Sequence, residues 1–330
     1  MILQIKPQAT DQNIADILAS LEDMNISSRF LQTQKAKYII SIAKSYPDIR
    51  KIAQLPHVQD VHRLSDNYKL VSAKWKVNPS VVTLNNGTRI GDFTKVLIAG
   101  PCSLENEEQI EAVANQLQKS HITVMRGGAF KPRSSPYSFR GLGLDGLKMM
   151  HEICAPKKLA IITEVMDSKH IEKMYPYVDI FQVGARNSQN FDLLDALGKM
   201  DKPVMIKRGI SGTIEELLQS AEYVFSGGNE EIILCERGIR SFETAYRNTF
   251  DINAIPILLE KSHLPVIADP SHGIGIRRHV PAITKAALAA GAHGAIIEAH
   301  PHPELAISDG AQSLNLEELE ELSKDIYQMF

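Results

Sequence analysis

From residue 96 onward the chain repeats one pattern. A short unbroken apolar run is followed by a longer stretch with apolar residues at helical spacing. The runs are KVLIAGPCS, ITVMRGG, LAIITEVM, DIFQVGA, PVMIKRG, EIILCERG, LPVIADPSH and GAIIEAHP. Between them, NEEQIEAVANQLQKS, GTIEELLQSAEYVFS and HVPAITKAALAAG read as amphipathic helices. Strands that are apolar on both sides and alternate with helices build a parallel sheet covered on both faces. Eight such units over residues 96–330 match the count of a (β/α)₈ barrel. An open doubly wound sheet is the alternative, although no G-x-G-x-x-G follows the first run and no P-loop occurs.

The pattern before residue 96 is different. MILQIKP alternates as a strand does, and TDQNIADILASLEDMN has a polar cap followed by Ile14, Ile17, Leu18 and Leu21 at helical spacing. SSRFLQTQKAKYIISIAK reads as two strands around a turn, YPDIRKIAQLP as a short helix beginning near Pro47, and VQDVHRL as a last strand. The order β-α-β-β-α-β over residues 1–72 predicts a small ferredoxin-like domain. Residues 73–95 form a connector, in which Asn86-Gly87 is the turn of a hairpin. Residues 96–330 are the barrel.

Composition narrows the class. Of 330 residues, 44% are apolar and 23% charged, and the net charge is −3, so no global basic field points to nucleic acid. Three cysteines, with no C-x-x-C pair, fit a reducing compartment better than a disulfide framework. There is no signal-peptide pattern and no long apolar stretch, so a cytoplasmic protein is expected. Cys154 and Cys235 fall on a helix and within a strand and read as core, as do Met149 and Met150.

The chemistry collects where the apolar runs end. In a barrel these ends converge on one face, where active sites are built. Arg126, Lys131, Arg133, Arg186, Lys207, Arg237 and Arg277 supply positive charge there or nearby, the requirement of phosphate and carboxylate ligands. Arg208, Glu164, Glu236 and Gln182 lie at the same ends. A second set can ligate metal: Cys102, His272, Glu298 and Asp309, at or just past the ends of the first, seventh and eighth runs. The first and eighth strands are neighbours in a closed barrel. A mixed sulfur, nitrogen and oxygen set suits Mn²⁺, Fe²⁺, Co²⁺ or Zn²⁺. His300 and His302, in EAHPHPE, are further candidates.

The motifs IAGPCS, RGGAFKPRSSPYSFRGLG, TEVM, QVGARNSQNF, KRG, ILCERGIR, DPSHG, GAHGAIIEAHP and SDGAQSL, in this order, resemble 3-deoxy-D-arabino-heptulosonate 7-phosphate (DAHP) synthases. The nearer likeness is to the type I-beta branch with a ferredoxin-like regulatory domain. The resemblance implies a transferase joining phosphoenolpyruvate to erythrose 4-phosphate in the first step of the shikimate pathway. It also implies a divalent metal on Cys102, His272, Glu298 and Asp309. Arg186 and Arg237 would hold the phosphate of phosphoenolpyruvate, with Ala185 beside them in the substrate site. Arg126, Lys131 and Lys207 would lie near its carboxylate and reacting end. Arg133 and Ser134 would grip the aldose phosphate, with Arg277 as a further contact. Lys131 and Glu164 are the candidates for moving protons, with His272 or a metal-bound water as alternatives, and Cys102 completes the catalytic set the resemblance implies. Many relatives read KPRTS where this chain has KPRSS, which keeps the hydroxyl. The alternative is 3-deoxy-D-manno-octulosonate 8-phosphate synthase, which shares the barrel but typically has an ANRSS-like loop and no extra N-terminal domain. A tyrosine or phenylalanine effector at residues 1–72 and a homotetramer complete the expectations.

Overall fold

The structure, a computed structural model, describes residues 1–41, 48–76, 78–131, 137 and 139–330. Its first part runs β1 (Ile2–Ile5), α1 (Asp11–Asp23), β2 (Ser28–Gln32), β3 (Lys37–Ser41), α2 (Ile49–Ala53) and β4 (Val58–His62). The four strands form an antiparallel sheet in the order β2-β3-β1-β4. The βαββαβ order expected for residues 1–72 is therefore present; the expected start of its second helix, at Pro47, lies outside the described residues.

Alternation along these strands buries both faces of the sheet. Leu3, Ile5 and Ile39 pack against Ile14, Ile17 and Leu21 of α1 and Ile52 of α2. Ile2, Tyr38, Ile40 and Leu31 point the other way and belong to the core of the barrel side. Polar contacts fix that junction. Thr33 donates to Glu230 at 2.6 Å, Gln34 exchanges hydrogen bonds with Asn229 and the Glu230 amide, and Lys35 pairs with Glu231. Tyr38 meets Phe225 edge-on, with ring centroids 6.1 Å apart.

The connector ends in the expected hairpin, β5 (Val82–Thr83) and β6 (Arg89–Ile90), turned at Gly87, whose φ of +89° is open to glycine. Val82, Leu84 and Ile90 cluster with residues lining the barrel interior, including Val96, Ile98, Ile162, Met205 and Ile296. The hairpin thus plugs one end of the barrel.

The barrel strands are β7 (Val96–Gly100), β8 (Val124–Arg126), β9 (Ala160–Glu164), β10 (Ile180–Val183), β11 (Val204–Lys207), β12 (Ile232–Glu236), β13 (Val266–Ala268) and β14 (Gly294–Glu298). They close in sequence order, with β14 beside β7 and Glu298 opposite Gly100. The parallel barrel, not the open sheet, is the observed fold. Around it lie α3 (Glu107–Lys119), α4 (Gly143–Cys154), α5 (Ser168–Met174), α6 (Phe191–Gly198), α7 (Ile214–Ser226), α8 (Ala254–Lys261), α9 (Pro270–Ile274), α10 (Val280–Ala289) and α11 (Leu316–Met329). Their starts follow the sequence: Thr213 and Glu216 form a capping box on α7, and Asn106 caps α3. All three cysteines are free and buried. No helix among the described residues is long and apolar enough to cross a membrane.

Ile90 is completely buried in the plug. Ile90→Ala should lower the free energy of unfolding by about 2–5 kcal/mol in urea titrations, the range for truncating a buried isoleucine. An unchanged midpoint would mean that the hairpin does not seal the barrel.

Candidate active site

The C-terminal ends of the barrel strands surround a cavity of about 190 Å³. Arg126, Lys131, Arg186, Lys207 and Arg237 line it, as expected from their places after the apolar runs, together with Glu164, Ala185, His272 and Asp309. Close packing aims several of them. A Cβ on Gly184 would stand 2.0 Å from a Glu164 carboxylate oxygen, and one on Gly128 would stand 2.6 Å from the Lys131 side chain. Only glycine leaves these side chains their room. Lys131 is tucked inward, where its ammonium donates to the Cys102 carbonyl at 2.9 Å.

Buried charges are matched across strands. Arg126 donates to Glu298 at 2.6 Å, joining the ends of β8 and β14. Lys207 donates to Asp269 at 2.5 Å, joining β11 to the start of α9. Asp269 also accepts from the Nδ1 of His272. Burial raises the pKa of both carboxylates, but His272 with Lys207 outweighs it at Asp269, and His272, Arg126 and Lys131 outweigh it at Glu298. Both are held well below the usual carboxylate range. Burial pulls the His272 imidazole below its ordinary value despite Asp269 and Glu298 beside it. The Nδ1 of His272 faces Asp269, and its Nε2 lies 3.5 and 3.9 Å from oxygens of Glu298 and Asp309.

Arg237 is different. It is buried, yet among the described residues its one hydrogen bond is a long 3.5 Å contact to the Gly238 carbonyl, and it forms no ion pair there, Asp269 and Glu236 acting on it only from further away. Burial pushes its pKa below the ordinary arginine value. A desolvated guanidinium facing a cavity calls for an anion.

Three of the four residues expected to hold metal group together, and the Nε2 of His272 lies 3.5 and 3.9 Å from oxygens of Glu298 and Asp309. One ligand atom each from Cys102, Glu298 and Asp309 lies within 4.8 Å of the others, and the Cys102 sulfur is 3.3 Å from Asp309. Ligands about 2.0–2.3 Å from a shared ion stand roughly 3.3–3.8 Å apart, a spacing that the Cys102–Asp309 and His272–Glu298 pairs have. Burial, then the neighbouring Glu298, pushes the Cys102 thiol up to about 11.

Other residues noted in the sequence have different surroundings. Arg277 is bound to Glu318 of α11 at 2.6 Å and is not among the described residues that line the cavity. A sequence cannot show that a cation after α9 will meet an acid on the last helix. Arg208 and Glu236 pair with each other at 2.9 Å, Arg208 adds Asp251, and both serve the barrel wall. His300 bonds Glu105 through Nε2 and accepts the His302 amide at Nδ1, so both its nitrogens are engaged. Exposed His302 faces Glu304. Arg133 and Ser134 lie outside the described residues.

Four residues absent from the sequence reading border the site. Arg240, Arg247 and Asn248 line the cavity, and Gln312 bonds Glu298. They sit in loops, away from the strand ends that drew attention, and no periodic signal marks them.

The pattern of the DAHP synthetase I family matches residues 79–330. A phospho-2-dehydro-3-deoxyheptonate aldolase of Thermotoga maritima is 44% identical over 327 residues, covering 99% of this chain and 96% of that one. A crystal structure of a DAHP synthase from T. maritima matches with a TM-score of 0.79 at 43% identity, covering 99% of this chain and 96% of that one. A 2-dehydro-3-deoxyphosphooctonate aldolase of Syntrophotalea carbinolica is 32% identical, over 75% of this chain and 95% of its own.

Were a divalent ion to bind through Cys102, whose thiol burial pushes up to about 11, its uptake near neutral pH should release about one proton per ion. Affinity should accordingly strengthen as pH rises. Calorimetric titration in buffers of different ionisation enthalpy measures the proton count; a count of zero would contradict thiolate ligation.

Proposed function

The chain belongs to the DAHP synthetase I family, and we propose that its cavity carries out the condensation of phosphoenolpyruvate with erythrose 4-phosphate to give DAHP and phosphate. The family depends in general on a divalent metal. Here Cys102, His272, Glu298 and Asp309 would hold it, and the mixed donor set suits Mn²⁺, Fe²⁺, Co²⁺ or Zn²⁺. The observation that carries the reading is Arg237, a buried cation with no close ion pair among the described residues, beside Arg186 in the same cavity. The alternative octulosonate reading draws less support, because its relatives are 32% identical against 44% and cover less of the chain.

The roles follow from the family resemblance. Arg237 and Arg186 bind the phosphate of phosphoenolpyruvate, with Ala185 beside them. Lys207 and Arg126, each already half-neutralised by a buried acid, meet its carboxylate. Arg133 and Ser134 hold the aldose phosphate by the family resemblance. When bound, the ion polarises the aldehyde oxygen and offsets negative charge that develops there. C3 of phosphoenolpyruvate bonds to the aldehyde carbon, and positive charge builds at C2. Water adds at C2, and phosphate leaves by cleavage of its bond to that carbon. Lys131 delivers a proton to the new hydroxyl, and Glu164, across the cavity, takes one from the water. Cation pairs that hold two anions in one small space supply the orientation, for which effective molarity can contribute ~7–11 kcal/mol.

Residues 1–72 act as a sensor for tyrosine or phenylalanine in this reading. Its support is a separate βαββαβ sheet joined to the barrel through Thr33, Gln34 and Lys35. The enzyme would work in the cytoplasm as a homotetramer; Phe93 and Phe242, almost fully exposed, are side chains of the kind that assembly covers.

Phosphate release should require a divalent ion and should be faster with erythrose 4-phosphate than with arabinose 5-phosphate. Equal rates with both, or full activity under chelation, would sink the reading. Arg237→Ala should raise KM for phosphoenolpyruvate at least roughly 30-fold, since leaving a buried charge partner unmet costs ~2–5 kcal/mol. Removing residues 1–72 should abolish inhibition by the aromatic effector; persistence of that inhibition would rule out the sensor.

A further inference from the structure

Behind the four ligand residues lies a second layer of side chains that none of the strand-end residues supplies. Gln312, 2% exposed, closes a 3₁₀ turn, Gly310–Gln312, that begins just after Asp309. Its Nε2 donates to Glu298 Oε2 at 2.5 Å, and its Oε1 accepts from Arg247 at 2.5 Å. The same Arg247 nitrogen lies 3.2 Å from Asp309 Oδ1. Arg247 can only donate, so the amide oxygen of Gln312 must face it and the amide NH₂ must face Glu298. The orientation of Gln312 is thereby fixed, and one arginine braces two carboxylates at once.

The backbone makes the brace rigid. The Arg247 amide donates to the Ile274 carbonyl and the Asn248 amide to the Gly273 carbonyl, zipping this loop to α9. The Asn248 side chain donates to the carbonyl of His272 at 2.8 Å. A Cβ on Gly275, where φ is +70°, would fall 2.3 Å from the Cβ of Arg247, so the approach needs glycine there. Glu298 is consequently held at both oxygens, by Arg126 at Oε1 and by Gln312 at Oε2.

We propose that Gln312, oriented by Arg247, is a positioning residue for metal binding: it fixes the carboxylate plane of Glu298 and ties that ligand to Asp309. The proposal rests on the metal reading above. Hydrogen-bond partners of this kind orient ligands before the ion arrives, and their loss typically weakens metal affinity about 10- to 100-fold. Gln312→Glu keeps the shape and the bond to Arg247 but sets a carboxylate against Glu298. Gln312→Met keeps the length and removes both bonds.

The test is a Co²⁺ titration of the purified full-length protein, read from the thiolate-to-cobalt absorption band and compared with wild type and Cys102→Ala. Thermal unfolding of the metal-free proteins serves as the control for fold. Both Gln312 variants should show the band with a dissociation constant raised about 10- to 100-fold. At saturating Co²⁺, the KM for phosphoenolpyruvate should return close to the wild-type value. A variant that folds and binds Co²⁺ as tightly as wild type overturns the positioning role. So does a variant whose KM stays raised at saturating metal, which would place Gln312 at the substrate. If wild type itself gives no band that depends on Cys102, the metal reading fails first and the proposal falls with it. Should Gln312→Glu fail to fold, Gln312→Met decides alone.

Discussion

Two carboxylates, Glu298 and Asp269, stay charged at the mouth of the barrel where each is only 1% exposed. Ionised carboxyls in such a place are tolerable only when paired and hydrogen-bonded. Arg126 at 2.6 Å and Lys207 at 2.5 Å meet that need from β8 and β11. The rest of the site is arranged around these two pairs. Asp269 is thereby free to fix His272 by Nδ1, which leaves Nε2 for an incoming ion. Glu298 is held with one oxygen near His272 and Asp309. Because the acids use Arg126 and Lys207 only in part, and leave Arg237 alone, net positive potential remains in the cavity for anionic substrates.

That constraint also explains the fold around the site. The paired groups come from strands and a short helix that are far apart in sequence, so only a closed barrel can present them together. The hairpin at the other end packs Val82, Leu84 and Ile90 against apolar residues of the barrel interior. The N-terminal sheet spends one face on its own helices and the other on the barrel near Phe225. It touches the barrel by way of Glu230, just ahead of β12, the strand that ends at Glu236 and Arg237.

Much of this was legible in the sequence, for a physical reason. Strands buried on both faces must be continuously apolar, so the eight runs stood out, and all eight are barrel strands. Charged residues directly after such runs are costly without partners, so Arg126, Lys207, Arg237 and Glu298 drew attention, and the first three line the cavity. Arg208 and Glu236 obey the same rule yet pair with each other, which only the geometry reveals. Arg277 pairs with Glu318 on the last helix, a contact with no local trace in the sequence. Gln312, Arg247 and Asn248 were missed because outer-layer residues need no apolar run before them and no fixed spacing. The N-terminal strands showed alternation, but a second buried face required the barrel to be there.

The central claim is that the four ligand residues and the unpaired Arg237 serve one site. Crystals of the protein with Mn²⁺ and phosphoenolpyruvate, measured at an energy where manganese scatters anomalously, test it directly. The account predicts one anomalous peak roughly 2.0–2.6 Å from atoms of Cys102, His272, Glu298 and Asp309, with the ligand's phosphate on Arg237 and Arg186. A peak elsewhere, or a phosphate bound away from Arg237, would contradict it.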